Sequence, residues 1–211
     1  MKLYGYFRSS AAYRVRIVLN LKGLEAEHEY VHLVRDGGEH RKAEFLQINP
    51  QGLLPALQTD DGGILLQSLA ILDYLEETHP EPALLPADPF QKAQVRALCQ
   101  MVACEIHPLN NLRVLQYLKD ELAHDQDTVA TWYRHWVTTG FEAIEKVIGD
   151  DGFCFGGRVS LADACLVPQI FNAHRFKTDL SAFPRIIKVE EVCGALAAFG
   201  DAHPANQPDS E

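Results

Sequence analysis

Lys2-Leu3-Tyr4-Gly5-Tyr6-Phe7-Arg8-Ser9-Ser10-Ala11-Ala12-Tyr13-Arg14-Val15-Arg16-Ile17-Val18-Leu19 opens the chain, and its reading decides the fold. Lys2–Tyr6 reads as a short strand and Arg8-Ser9-Ser10 as a loop. Ala12–Leu21 then predicts a helix, because Val15, Val18, Leu19 and Lys22 recur at helical spacing and Gly23 is a natural stop. Ser9 or Ser10 is placed to cap it. Glu29–Leu33 alternates like a second strand, and Lys42–Ile48 predicts a short helix ending before Asn49-Pro50. Leu54–Gln58 reads as a third strand, Asp60-Asp61-Gly62-Gly63 as a hairpin turn, and Ile64–Leu66 as a fourth strand. Leu69–Glu77 predicts a helix capped by Ser68. The order βαβαββα is a thioredoxin-like α/β arrangement.

His79-Pro80-Glu81-Pro82-Ala83-Leu84-Leu85-Pro86-Ala87-Asp88-Pro89 carries four prolines, which no helix or strand continues through. The expected division is therefore 1–78 as an α/β domain, 79–89 as a linker and 90–211 as an all-α domain. Helical periodicity covers Gln91–Ile106, Leu109–Ala123, Asp127–Ile148 and Leu161–Lys177, with a shorter stretch over Ile186–Ala198. His203–Glu211 is polar and Pro-containing and reads as a loose tail.

Composition narrows the function. The 211 residues carry a net charge of −10, which argues against a nucleic-acid partner. No apolar run reaches the length of a membrane span, and the N-terminus has no signal-peptide pattern, so a cytoplasmic protein is expected. The five cysteines are an odd number without a CxxC, which points to buried, reduced thiols rather than disulfides or zinc. No clustered ligand set suggests any metal.

Several polar positions are candidates for chemistry. Ser9 and Ser10 sit at a strand-to-helix junction, where unpaired N–H groups and the helix dipole favour a thiolate. From this feature alone, plain caps are the more ordinary reading. Leu54-Pro55, if cis, leaves backbone groups free to pair with a bound peptide. Gln67-Ser68 at a strand end could hold a carboxylate, or only cap a helix. Ser160-Leu161-Ala162-Asp163 is a capping box with Asp in place of Glu and reads as structural. His107-Pro108-Leu109-Asn110-Asn111-Leu112-Arg113 is a polar cluster in a helical hairpin. Arg175 follows an apolar helix and reads either as a surface residue or as one that points inward to meet a carboxylate.

In order and spacing these pieces resemble the zeta class of glutathione transferases, from Lys2 to about Ala198. The strongest segment is Arg8-Ser9-Ser10-Ala11-Ala12-Tyr13-Arg14-Val15-Arg16-Ile17. Asp36-Gly37-Gly38-Glu39-His40, Asn49-Pro50, Leu54-Pro55, Gln67-Ser68-Leu69-Ala70-Ile71, Pro108-Leu109-Asn110-Asn111-Leu112 and Asn172-Ala173-His174-Arg175-Phe176 support it. The resemblance implies the glutathione-transferase fold, glutathione as cofactor and a homodimer. It implies that Ser9, with Ser10, meets the glutathione sulfur beside Ala11, with Ser9 the first choice. His40 would meet the glycine end, Leu54 the cysteinyl backbone, and Gln67 and Ser68 the γ-glutamyl carboxylate. His107, Asn111 and Arg113 would be further glutathione contacts. Arg8, Asn110 and Arg175 would meet a dicarboxylate diketo substrate.

The zeta signature has cysteine where this chain has Ala11, so any nucleophilic sulfur must come from glutathione. Relatives with alanine there act on maleylpyruvate, in gentisate breakdown. The resemblance therefore implies a glutathione-dependent maleylpyruvate cis–trans isomerase. The alternatives are a maleylacetoacetate isomerase of tyrosine breakdown, a general glutathione S-transferase, and a non-catalytic glutathione-binding protein.

Overall fold

β1 (Lys2–Gly5) pairs in parallel with β2 (Glu27–Tyr30) and antiparallel with β3 (Ala56–Gln58). β4 (Ile64–Leu66) pairs antiparallel with β3, which completes a four-stranded sheet of order β2-β1-β3-β4. Gly5 lies opposite Tyr30, Tyr4 opposite Ala56, and Ala56 opposite Leu66. This register puts the carboxyl ends of β1, β2 and β4 and the amino end of β3 at one end of the sheet. The segments Tyr6–Ser9, Val31–His40, Leu53–Pro55 and Gln67–Ser68 all leave or enter there.

Side chains alternate between the two faces of a strand. Tyr4 and Ala56 share a face with Val31 and Phe45, Phe45 coming from α2 (Ala43–Ile48). Leu3 and Leu57 point the other way and are fully buried. α1 (Ser10–Leu21) buries Ala12, Val15, Ile17, Val18 and Leu19, and packs on α3 (Ser68–Thr78), which buries Ile71, Leu72 and Leu75. Each buried aliphatic side chain contributes roughly 1.5–3 kcal/mol. Lys22 ends α1 with its ammonium buried against Glu76 at 2.7 Å and the His79 carbonyl at 2.7 Å.

The computed structural model describes residues 1–211 and divides into two compact units. Met1–Leu84 joins Gly194–Glu211 in the first, and Leu85–Cys193 forms the second. The tail is therefore not loose. α8 (Pro184–Gly194) stops at a glycine, Leu196 is extended, and α9 (Ala197–Ala202) starts a new direction on α1. Phe199 and Ala202 are buried, and their carbonyls accept from Tyr13 Oη at 3.3 Å and Arg16 Nε at 3.0 Å.

Several boundaries differ from the sequence reading, and β3 begins at Ala56 rather than Leu54. β2 ends at Tyr30 rather than Leu33, because its partner strand ends at Gly5. Ser68 does not cap α3. Gln67 takes the cap position and makes no side-chain cap bond, while Ser68 is the first helical residue.

The second unit is helical. Asp88 caps α4 (Pro89–Gln100) by accepting from the Gln91 amide, with Pro89 in the first turn. The helix widens into a π stretch at Met101–Ile106, where the sequence reading had ordinary helix, and tightens into a 3₁₀ turn at His107–Asn110, at the break expected between Ile106 and Leu109. α5 (Leu112–Asp120), α6 (Gln126–Val147) and α7 (Leu161–Arg175) follow. Gly140 lets α6 approach that π stretch: a Cβ there would lie 2.2 Å from Ile106 Cδ1. Asp163 in the first turn of α7 is fully buried and accepts from the Cys154 amide at 2.7 Å and from the Ser160 amide and hydroxyl, each at 2.8 Å. Four cysteines are buried and none is disulfide-bonded, but Cys104 is exposed on the π stretch, against the expectation. No helix is long and apolar enough to cross a membrane.

Candidate active site

Ser9 caps α1 through its Oγ, which accepts from the Ala12 amide at 3.2 Å. That bond uses a lone pair and leaves the hydroxyl proton to donate elsewhere. A thiolate above the helix start would meet this proton and the positive end of the dipole. Ser10 and Ala11 are buried in the first turn. The turn before the cap is fixed by the Ser9 amide, which donates to the Tyr6 carbonyl at 2.9 Å. Arg8 is half-buried, donates to Tyr6 Oη at 2.8 and 3.2 Å, and lies over the Tyr6 and Phe7 rings.

Gln67 follows β4 with φ 68 and ψ 121. A non-glycine residue in this region is strained, and such strain persists where the surroundings dictate it. Its side-chain Nε2 donates to Gln51 Oε1 at 2.8 Å. Ser68 Oγ accepts from Arg14 Nη1 at 3.1 Å, so its proton also remains available as a donor at the start of α3. Leu54 precedes a cis peptide bond to Pro55 and lies beyond Ala56, the last paired residue of β3. Its backbone groups therefore stand outside the ladder, free to pair with an extended peptide. Asn49 fixes the approach to Leu54, donating to the Leu53 carbonyl at 2.7 Å and accepting from the Gln51 amide at 3.0 Å.

His40 is buried, and its Nδ1 has no hydrogen-bond partner within the protein. Gly38 has φ 100 and leaves room for the imidazole: a Cβ there would lie 2.4 Å from His40 Cε1. Burial, followed by the Arg41 charge, lowers the His40 pKa below its ordinary 6.5. Burial also lowers His28 and His203. A base with a lowered folded pKa takes up its proton more readily when unfolded, so stability is lost as the pH falls below about 6.5. The denaturation midpoint is expected to be lower at pH 5.5 than at pH 7.5, with part of the difference removed by His40→Gln. A flat profile would contradict these neutral histidines.

The structure thus brings Arg8, Ser9, Ser10, Ala11, His40, Leu54, Gln67 and Ser68 to one end of one sheet. The remaining candidates belong to the second unit. Asn111 caps α5 by accepting from the Arg113 amide at 3.1 Å, and its Nδ2 is 3.4 Å from His107 Nε2. Arg113 is exposed. Asn110 is buried with neither side-chain polar atom hydrogen-bonded, an arrangement costly enough to suggest a functional reason. Arg175 ends α7, exposed, with its guanidinium over the Phe171 and Phe176 rings. The sequence reading missed Arg14, Asn49 and Gln51. Two arginines in the buried stretch Tyr13-Arg14-Val15-Arg16-Ile17 were the available signal, since a buried cation needs partners.

Residues 3–83 match the family described as glutathione S-transferase, N-terminal domain, and residues 137–189 match glutathione S-transferase, C-terminal domain. The chain is 52% identical to a maleylacetoacetate isomerase of Pseudomonas aeruginosa, over 100% of this chain and 99% of that one. Among solved structures, the holo form of a bacterial maleyl pyruvate isomerase of the zeta class is 45% identical over 100% of both chains, with a TM-score of 0.95. A maleylacetoacetate isomerase of Methylobacterium extorquens, solved with malonate and glutathione bound, is 41% identical over 100% of both chains, again with a TM-score of 0.95. The chain belongs to the glutathione S-transferase family.

Proposed function

We propose that this protein is a glutathione-dependent isomerase that converts maleylpyruvate to fumarylpyruvate. The observation that carries the proposal is the convergence of Ser9, Leu54, Gln67 and Ser68 at one end of the sheet, each with a polar group left over for a ligand. These groups fit a γ-glutamyl tripeptide: unladdered backbone for its peptide, a helix start with a spare hydroxyl for its carboxylate, and a second helix start for its sulfur. Bound glutathione supplies a thiolate that adds to the cis alkene, makes its double bond a rotatable single bond, and leaves again as the trans alkene forms.

The chain's own residues hold and orient. Ser9 donates to the sulfur and favours its ionised form, with Ser10 beside it. Leu54 pairs with the cysteinyl backbone, Gln67 and Ser68 hold the γ-glutamyl carboxylate, and His40 meets the glycine end. His107, Asn111 and Arg113 are assigned to glutathione as well, across a homodimer. Arg8, Asn110 and Arg175 are assigned to the substrate, where fixed cations and donors favour the charge that develops on its oxygens. A cytoplasmic location suits a soluble catabolic enzyme of this kind.

Ala11 supports maleylpyruvate as the substrate. The 52% identity to a maleylacetoacetate isomerase supports a second reading, in which the same residues act on maleylacetoacetate. Arg175→Ala is expected to lower kcat/KM for the diketo acid by about 100-fold, the effect of removing a well-placed charged donor, and to leave glutathione affinity within about threefold. Equal loss of both, measured by initial rates and by glutathione titration, would refute the substrate role.

A further inference from the structure

Phe7 has both of its backbone groups held by side chains. Its amide donates to Asp209 Oδ2 at 2.9 Å, and its carbonyl accepts from Arg16 Nη2 at 3.0 Å. Arg16 Nη1 reaches the Tyr6 carbonyl at 3.5 Å, the same oxygen that accepts from the Ser9 amide. Arg16 Nε is bound to the Ala202 carbonyl, so one buried guanidinium ties the turn before Ser9 to the end of α9. Gln207 closes the path from Ala202 to Asp209, donating to the carbonyls of Asp201 at 2.8 Å and His203 at 3.1 Å. Glu211 then accepts from His32 Nε2 at 3.1 Å. His32 lies edge-on to Tyr6 at 4.7 Å, and its amide donates to Glu39, the neighbour of His40.

We propose that the segment Phe199–Glu211 is a strap that positions the Tyr6–Ser9 turn, with Asp209 and Arg16 as positioning residues for the reaction at Ser9. This rests on the reading of Ser9 as the group that meets the glutathione sulfur. The turn has no strand partner beyond the register of Gly5 with Tyr30, so these side-chain bonds do what a ladder does elsewhere. The charges also suit the site. Arg16 offsets the charge of Asp209 and Arg35 pairs with Glu211 at 3.0 Å, so both carboxylates that hold the strap are matched by cations. A small displacement of the reacting sulfur is enough to slow the reaction.

The test compares Asp209→Ala, Asp209→Asn and the native full-length protein in two ways. In steady-state kinetics, Asp209→Ala is expected to lower kcat/KM for glutathione by about 10-fold, the cost of one charge-assisted hydrogen bond. Asp209→Asn retains an acceptor for the Phe7 amide and is expected to stay within about threefold of the native protein. In amide hydrogen exchange without glutathione, Asp209→Ala is expected to speed exchange over residues 6–9 by at least about 10-fold, with α6 and α7 unchanged. Should Asp209→Ala not fold, Asp209→Glu, which moves the carboxylate out by one methylene, is expected to speed exchange at the same residues. Native exchange over 6–9 in both variants, or equal loss of activity in the Ala and Asn variants, would overturn the strap. Faster local exchange in Asp209→Ala, together with a native protein that turns over no diketo acid, would instead refute the reading of Ser9 and leave the strap standing.

Discussion

Ser9→Ala is expected to slow turnover by about 100-fold and to move the pH midpoint of activity upward. On the proposed function the hydroxyl has two separable duties. Its oxygen accepts from the Ala12 amide and caps α1, and its proton is left for the thiolate. Removing the cap costs about 1 kcal/mol of stability, which leaves the protein folded at room temperature. Removing the donor leaves the helix dipole as the main support for the ionised sulfur, so the thiol pKa rises toward its free value of about 8.5. Activity at neutral pH then falls, and recovers in part as the pH is raised. Ser9→Thr keeps both duties and is expected to remain within about tenfold of the native rate. A rate profile against pH, measured for the three proteins, checks this. An unchanged midpoint in Ser9→Ala would assign the serine to the helix cap alone.

Asp163→Ala is expected to destabilise the second unit by about 3–5 kcal/mol. The carboxylate is fully buried, and three donors converge on it from Cys154 and Ser160. Burial raises its pKa, and the hydrogen bonds counter that only in part. Alanine leaves two buried amides and a hydroxyl without their acceptor, and it removes the capping box that starts α7. That helix supplies Leu166 and Ile170 to the core, so the loss spreads beyond its first turn. Urea denaturation is the check. A change below about 1 kcal/mol would mean that water or a rearranged loop replaces the carboxylate. Ser160→Ala, which removes one donor and leaves both amide bonds to Asp163, is expected to cost less than half as much.

Much of the first unit was legible because its signals are local. The serine loop, the Asp60–Gly63 turn and the apolar spacing of α1 each specify an element without reference to distant residues. Leu54, Gln67 and Ser68 are assigned through the family resemblance, and the strand order brings them to the same end of the sheet as Ser9. Other features depend on contacts that sequence spacing does not encode. Ser68 looked like a cap because serine before an apolar run usually is one, but Arg14 claims its oxygen. His203–Glu211 looked loose because it is polar and carries prolines. Its polar side chains in fact meet the Phe7 amide and the His32 ring, across sequence separations that no local pattern reveals. The π stretch at Met101–Ile106 was equally hidden, since its residues have ordinary helical preferences. Asn110 could be named as polar and nearby, while its burial without partners is visible only in three dimensions.

The most direct measurement is an absorbance assay with enzymatically made maleylpyruvate, with and without glutathione, beside the same assay with maleylacetoacetate. The account predicts fast conversion of maleylpyruvate to fumarylpyruvate that requires glutathione, with kcat/KM above that for maleylacetoacetate. A preference for maleylacetoacetate would contradict the assigned substrate while keeping the mechanism, and conversion of neither, or conversion without glutathione, would contradict the account itself.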